Sequence, residues 1–389
     1  MDIINKFLKY SSIAAIFSEA ISFHYIIDLK LFYIIIIVNT LILIWIKAIK
    51  INIYHLFLII FITIHGFFGT LLFRYPIQSL IAQIIGISVS SIYFYNLFKH
   101  IGYQSLFKSY SYFSLYISII GLFMFFTGIT LWDANRLHGL LNEPSRYVIL
   151  VLPALYYFFK HKNYLLFLIL LCSIILAQSS IGYIGILLLI ILPNLKIRTI
   201  KKLWFLLPLS IVFLWFLSKN ENFQIRYNQT LDAISVFKTK KFDERLNISS
   251  YALLSNAFIA FNNFTDHPFG TGLGSYKTAY DRYITQLQKP SYIIKLGQDD
   301  INREDANSLF LRMLSDLGVF GLLIIGYFIF LCFKSFNLSS KESIIAQSLV
   351  IYFLLKLLRQ GHYFPQEFYF FLWAFIFSNI ELNAKLKHI

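Results

Sequence analysis

Few side chains among the 389 residues can act on a substrate, and they concentrate in three polar segments. The longest contains TDHPFGTGLGSY, residues 265–276. Pro268 stops a helix running past Phe264, the glycines accept positive φ, and a helix starting near Ser275 offers unpaired N–H groups. Amides at such a corner, those of Gly272 and Gly274 foremost, form a seat for an anion such as phosphate; a purely structural corner between two helices fits the pattern equally well. The G-x-G-x-G spacing is not that of a dinucleotide fold, because no strand precedes it. His267, inside the same stretch, is a candidate proton carrier or a capping group.

The second segment is DANRLHGLLNEPSR, residues 133–146. Arg136 could hold a diphosphate through paired N–H donors, with Glu143 as orienter or base; an ion-pair staple of Arg136, Glu143 and Arg146 is the alternative. Pro144 suits the first turn of a helix and puts Glu143 at its N-cap. The stretch 299–323 runs acidic residues into an apolar helix, where the dipole favours Glu304 and Asp305. Arg312 and Asp316 stand four residues apart on that helix, so they pair, or Arg312 receives an anionic headgroup. Arg245 in KKFDERLN has Asp243 and Glu244 beside it to neutralise it. The third segment is RQGHYFPQE, 359–367, where Arg359 and His362 flank Gly361 with Glu367 nearby; snorkelling accounts for Arg359. No His or Cys cluster has metal-ligand spacing and no Walker or H-E-x-x-H motif occurs, so no metal or nucleotide cofactor is expected.

The elements that must position these groups are membrane helices. The chain is 58% hydrophobic and 14% charged, with a mean hydropathy of +0.67, which is poor composition for a water-soluble globule. Apolar runs near 7–26, 31–48, 53–73, 76–98, 110–131, 145–160, 163–178, 181–195, 203–218, 307–333, 343–358 and 363–381 give about twelve spans. The expected fold is an all-α polytopic bundle in three parts: spans over 1–218, one large extracytoplasmic helical loop over 219–306, and the last spans over 307–389. In that loop Leu231, Ile234 and Phe237, then Leu254, Phe258 and Phe261, then Tyr276, Tyr280, Tyr283 and Leu287 recur at helical spacing, predicting three amphipathic helices.

The formal net charge of +15 follows topology. Lys6, Lys9, Lys47, Lys50, Lys99, Lys108, Lys160, Lys162 and Lys196 to Lys202 fall in alternate loops, which predicts both termini in the cytoplasm. The 219–306 segment is nearly neutral, with 11 Lys and Arg against 10 Asp and Glu. Nucleic acid is therefore not an expected partner. Cys172 and Cys332 fall in apolar spans, which argues against a disulfide framework, and the first helix reads as a signal anchor with no cleavage site. No internal repeat is visible, which counts against a transporter built from repeated halves.

Three pieces, in order, resemble the bacterial O-antigen polymerases and O-antigen ligases: RLHGLLNEPS; RLNISSYALLSNAFIAFNNFTDHPFGTGLGSY; and ANSLFLRMLSDLGVFGLL. The resemblance covers roughly residues 130–330 and implies a glycosyltransferase of the bacterial inner membrane. A growing glycan would pass from undecaprenyl diphosphate to a lipid-linked repeat unit at the outer face, with no nucleotide needed because the sugar diphosphate bond is already activated. The resemblance further implies Arg136, Arg245, Arg303 and Arg312, with the Gly272 and Gly274 amides, at the leaving diphosphate. Glu143, Asp305 or His267 would be the base, and Tyr276 and Tyr280 would stack on sugar rings. Expected partners are undecaprenyl-diphosphate-linked oligosaccharides, membrane lipid, a chain-length regulator and a flippase; the product would be O-antigen, capsule or a related lipopolysaccharide or surface polymer. Two departures stand out. Ligases carry His-Asn where this chain has Ala306-Asn307, and QSSIG lacks the arginine often found between the seventh and eighth helices. The alternatives are a ligase or oligosaccharyltransferase, and a lipid-linked oligosaccharide flippase without chemistry.

Overall fold

The computed structural model describes residues 2–24, 28–129, 136–194, 235–244, 246–336 and 341–386. Helix α1 (Asp2–Ile16) is followed by an antiparallel ribbon of two short strands, β1 (Ser22–His24) and β2 (Asp28–Lys30), which leads into α2 (Leu31–Trp45). Next come α3 (Ile53–Phe73), α4 (Ile77–Ile101), α5 (Tyr103–Thr127), α6 (Pro144–Lys160), α7 (Tyr164–Leu176) and α8 (Ser180–Ile191). The chain then forms α9 (Val236–Thr239), α10 (Ile248–Asp266), α11 (Tyr276–Tyr283) and α12 (Ser291–Lys295). It ends with α13 (Leu309–Leu317), α14 (Val319–Phe336), α15 (Lys341–Leu358) and α16 (Phe368–Leu386). Among the described residues the fold is otherwise helical, with the ribbon and one isolated bridge, Lys241 with Gln288, as its strand pairing.

Among the described residues four helices are long and apolar enough to cross a membrane: α3 from His55, α4, α5 and α14. Shorter apolar helices are α2, α7, α8 and the apolar parts of α15 and α16. The expected span at 203–218 lies outside the described residues, as do Leu231 and Ile234 of the first amphipathic helix. Large apolar side chains stand exposed along these helices, among them Ile37, Leu41 and Trp45 on α2 and Phe67, Phe68, Leu71 and Leu72 on α3. Such a belt is costly in water and costs nothing against lipid tails, while helical backbone satisfies its own polar groups. Buried polar side chains meet across helices: Asn39 Nδ2 donates to Tyr93 Oη at 3.0 Å and Tyr156 Oη to Gln347 Oε1 at 2.6 Å. Helix α6 is apolar on nearly every side and sits at the centre, packed by α5, α7, α8 and α15.

Two boundaries differ from the sequence expectation for identifiable reasons. The first apolar run, expected over 7–26, stops being helix at Ile16, and Glu19 lies in the following turn. The run expected over 307–333 is two helices broken at Gly318, whose φ of +59° continues neither. Ser308 caps the first of these, its side chain accepting from Leu311 N at 3.2 Å.

The segment between α8 and α13 builds its own core. Val236, Phe242, Leu246, Tyr251, Phe258, Tyr276, Tyr280 and Ile293 are buried together, apart from the main bundle core. Helices α10 and α11 form as the apolar spacing predicts, with Asn247 capping α10 by accepting from Ser250 N at 2.9 Å. This unit docks on the bundle end where α3 stops and α4 starts: Tyr75 Oη donates to Leu273 O at 3.2 Å and His65 Nε2 contacts Phe269 O at 2.9 Å.

Candidate functional site

The glycine corner does hold an anion, but a resident one. Gly270, Gly272 and Gly274 all have positive φ, and a Cβ at Gly270 would fall on the Asp316 carbonyl oxygen. The backbone is thereby laid against the break between α13 and α14. Gly272 N donates to Asp316 O at 2.9 Å, Gly274 N to Asp316 Oδ2 at 3.1 Å, and Ser275 Oγ to Asp316 Oδ1 at 3.2 Å. Tyr363 Oη donates to the same carboxylate at 3.1 Å, and Arg312 Nε stands 3.6 Å from it. This corrects the expectation that the Gly272 and Gly274 amides await a phosphate: the Asp316 main-chain carbonyl already takes the first and its fully buried carboxylate the second.

A second polar site lies at the same end of the bundle, where α1, α6, α15 and α16 begin or end. It is a cleft of about 70 Å³, lined by Glu19, Lys30, Arg146, Lys356, Gln360, His362, Gln366 and Glu367 among others. Arg146, in the first turn of α6, pairs with Glu19 and stands 3.8 Å from Glu143. Lys356, in the last turn of α15, has no exposed surface; its Nζ donates to Gln360 Oε1 at 2.9 Å and pairs with Glu367 at 3.4 Å. Tyr352 Oη also donates to Glu367, at 2.9 Å. The loop 359–367 is held from below. Gly361 is pressed so closely on Asp305 that a Cβ would overlap the Asp305 carbonyl oxygen, Gln360 N donates to Asn307 O at 2.8 Å, and Arg312 donates to Gly361 O at 3.1 Å. Arg312 also lies over the Tyr363 ring, 4.6 Å from its centroid.

Buried polar atoms in this wall have no hydrogen-bond partner among the described residues: Arg146 Nε, Gln360 Nε2, both amide atoms of Gln366, and Asn307 Nδ2 just behind the loop. An unmet buried polar group costs on the order of 1–3 kcal/mol, so the donors among these call for water or a guest rich in acceptor oxygens, and Gln366 Oε1 for a donor such as water or a hydroxyl. On the other side of the loop is an apolar cavity of about 320 Å³ between α3, α4 and α13–α16, bounded by Ile62, Leu309, Met313, Phe328, Tyr363 and Trp373 among others.

The residues expected at the site fall into two groups. Asp305 and Arg312 are brought to the base of the 359–367 loop, and Glu143 reaches the cleft rim through Arg146. The others are engaged elsewhere. Arg136 caps the end of α7, Nε donating to Ala177 O at 3.3 Å and Nη2 to Gln178 O at 3.0 Å. Arg303 forms a two-pronged pair with Asp281 at 2.6 and 2.7 Å, which raises its already high pKa. His267 accepts from Arg282 at 3.1 Å and packs on Phe73; burial first and then Arg282 hold its pKa below the usual imidazole value. The expectation that Tyr276 and Tyr280 offer faces to sugars is corrected: both are fully buried in the second core, donating to Asn256 Oδ1 at 2.7 Å and Asp299 O at 2.9 Å. Arg245 lies outside the described residues. Sequence reasoning missed Lys356 and Gln366 and treated Arg146 only as an ion-pair partner. The available signal was a lysine within an otherwise apolar run, which is expensive in a membrane unless something engages it.

The fold and the cleft define a multi-pass helical membrane protein with a charged pocket at one bundle end. Residues 165–326 match the sequence profile of the family described as O-antigen ligase. Members of that family are glycosyltransferase-like enzymes acting on lipid-linked glycans. Comparison with curated proteins returns no match. The matched segment contains the glycine corner and α13, whereas Arg146 and the 359–367 loop lie on either side of it.

Proposed function

We propose that this protein is a glycosyltransferase that lengthens a surface glycan, of O-antigen or capsule type, carried on undecaprenyl diphosphate. The observation that supports this reading is the pairing of compartments across one loop. Arg146, Lys356 and residues with unmet amide donors form the wall of the polar cleft, and Tyr363 of the same loop borders the 320 Å³ apolar cavity. A polyprenyl diphosphate has both halves of the matching chemistry, an anion rich in acceptor oxygens and a long apolar tail. In the reaction an acceptor hydroxyl oxygen bonds to the anomeric carbon of the donor glycan. The carbon–oxygen bond to phosphate breaks, and the diphosphate leaves with the electron pair. Arg146 and Lys356, with Arg312 beneath the loop, stabilise that developing charge. Ala306-Asn307 in place of His-Asn favours polymerase over ligase. In this reading about twelve spans cross the inner membrane, both termini are cytoplasmic, and the cleft and the 219–306 unit face outward.

The test uses the full chain in lipid nanodiscs, with lipid-linked glycan extracted from the cells that make it. Lengthened lipid-linked glycan is the expected product. Transfer to a different acceptor indicates a ligase, and the absence of a covalent product indicates transport. Arg146→Gln should weaken undecaprenyl diphosphate binding by roughly tenfold or more, as loss of a charged hydrogen bond predicts; unchanged binding and yield remove Arg146 from the site.

A further inference from the structure

Asp305 and His362 come from segments far apart in sequence and meet at the cleft, with His362 Nε2 3.3 Å from Asp305 Oδ2. The contact is built from both sides. Asp305 is buried, its Oδ1 accepting from Asn302 Nδ2 at 2.9 Å and from Asn307 N at 3.2 Å, which leaves Oδ2 for the histidine. Gly361, immediately before His362, has no Cβ to hold the loop off the Asp305 carbonyl. His362 lines the same cleft as Arg146 and Lys356, and its side chain is 53% exposed there.

We infer that His362, oriented by Asp305, takes the proton from the acceptor sugar hydroxyl as that oxygen attacks the donor glycan. The inference rests on the glycosyltransferase reading above. The proton moves from the hydroxyl to His362 Nδ1, the new carbon–oxygen bond forms, the bond to phosphate breaks, and the leaving diphosphate carries the electrons away. Asp305 stabilises the imidazolium through Nε2–H and then the proton passes to water. His362 is the catalytic residue and Asp305 a positioning residue. The surroundings keep the imidazole in its accepting form at neutral pH. Desolvation of the ring where the cleft walls cover it lowers its pKa; Arg312 on α13, Lys356 on α15 and Arg146 on α6 act in the same direction, and Asp305 opposes them. Glu367, at the start of α16, Glu19, after α1, and Lys30, at the end of β2, are the other charges lining the cleft.

The experiment compares two readouts on the full chain in nanodiscs: binding of undecaprenyl diphosphate, and lengthening of lipid-linked glycan extracted from the producing cells. His362→Gln should bind within about twofold of wild type and lengthen glycan at least 100-fold more slowly, the usual size of a general-base effect. His362→Gly should regain part of its rate with added imidazole, and Asp305→Asn should move the acid limb of the rate profile. His362→Asn, with the same elution profile as wild type, guards against misfolding. His362→Gln lengthening glycan within threefold of wild type overturns the inference, as does loss of binding in parallel with loss of rate. A wild-type chain that binds the carrier but lengthens nothing overturns the glycosyltransferase reading itself.

Discussion

Replacing Asp316 by Ala should loosen the docking of the unit between α8 and α13 on the bundle, and the size of the effect follows from its contacts. The carboxylate is fully buried and accepts from Gly274 N, Ser275 Oγ and Tyr363 Oη, with Arg312 at 3.6 Å. Breaking a buried ion pair by removing one partner costs about 3–5 kcal/mol, because the remaining charge is left buried alone. Three abandoned donors add roughly 1 kcal/mol each where water cannot reach them. Part of this is relieved if water enters, so a loss of about 3–6 kcal/mol is expected. Thermal unfolding of Asp316→Ala, Arg312→Leu and the double variant in one detergent measures it as a double-mutant cycle. The double variant should be less destabilised than the sum of the singles by at least about 2 kcal/mol. Proteolysis within 267–275 should accelerate in Asp316→Ala, since that backbone loses its anchor. Additive singles, or an Asp316→Ala chain melting within about 1 °C of wild type, refute the assignment of Asp316 as the internal anion of the corner.

Gly361→Ala should cost about 1–3 kcal/mol by overpacking, because the added methyl meets backbone at Asp305 that cannot rotate away; a melting-temperature shift checks it. Tyr276→Phe should lower stability by roughly 1 kcal/mol through the lost bond to Asn256 while leaving glycan lengthening unchanged below the melting point; a raised KM would restore a sugar-binding role to this residue. The Lys289 ammonium, 2.7 Å from Asp299, holds that carboxyl below the usual carboxylate value. Its small contribution is therefore fully present above the unfolded pKa and lost as pH falls through the lower folded one. Melting of Lys289→Met against wild type across pH 2–5 reads the difference, which should vanish at the acid end.

Local chemistry was legible in the sequence, and pairing across distance was not. Apolar spacing located α11 closely because burial of Tyr276, Tyr280 and Tyr283 on one face decides it; α10 forms where expected, although Phe261 of its expected face is exposed. Pro268 and the glycines announced a corner with inward-facing amides, but nothing in residues 265–276 says that its anion is Asp316, supplied by another helix. Gly318 breaks the helix expected over 307–333, where Val319 N donates to Pro268 O at 2.8 Å, a partner no neighbouring residue supplies. Arg136 has the right type for holding phosphate, yet the open carbonyls at the end of α7 claim it. The cleft takes Glu19, Arg146, Lys356 and His362 from four separate stretches. Only packing assembles it, so no single window of sequence could show it.

Between Gln360 and Phe364 successive side chains face opposite compartments: His362 and Phe364 line the charged cleft and Tyr363 the apolar cavity. Deleting one residue ahead of His362 would therefore exchange an imidazole for a phenol on the wet side and push the imidazole into oil. Reading frame, as much as residue identity, sets what this strip of chain presents to each half of an amphiphile.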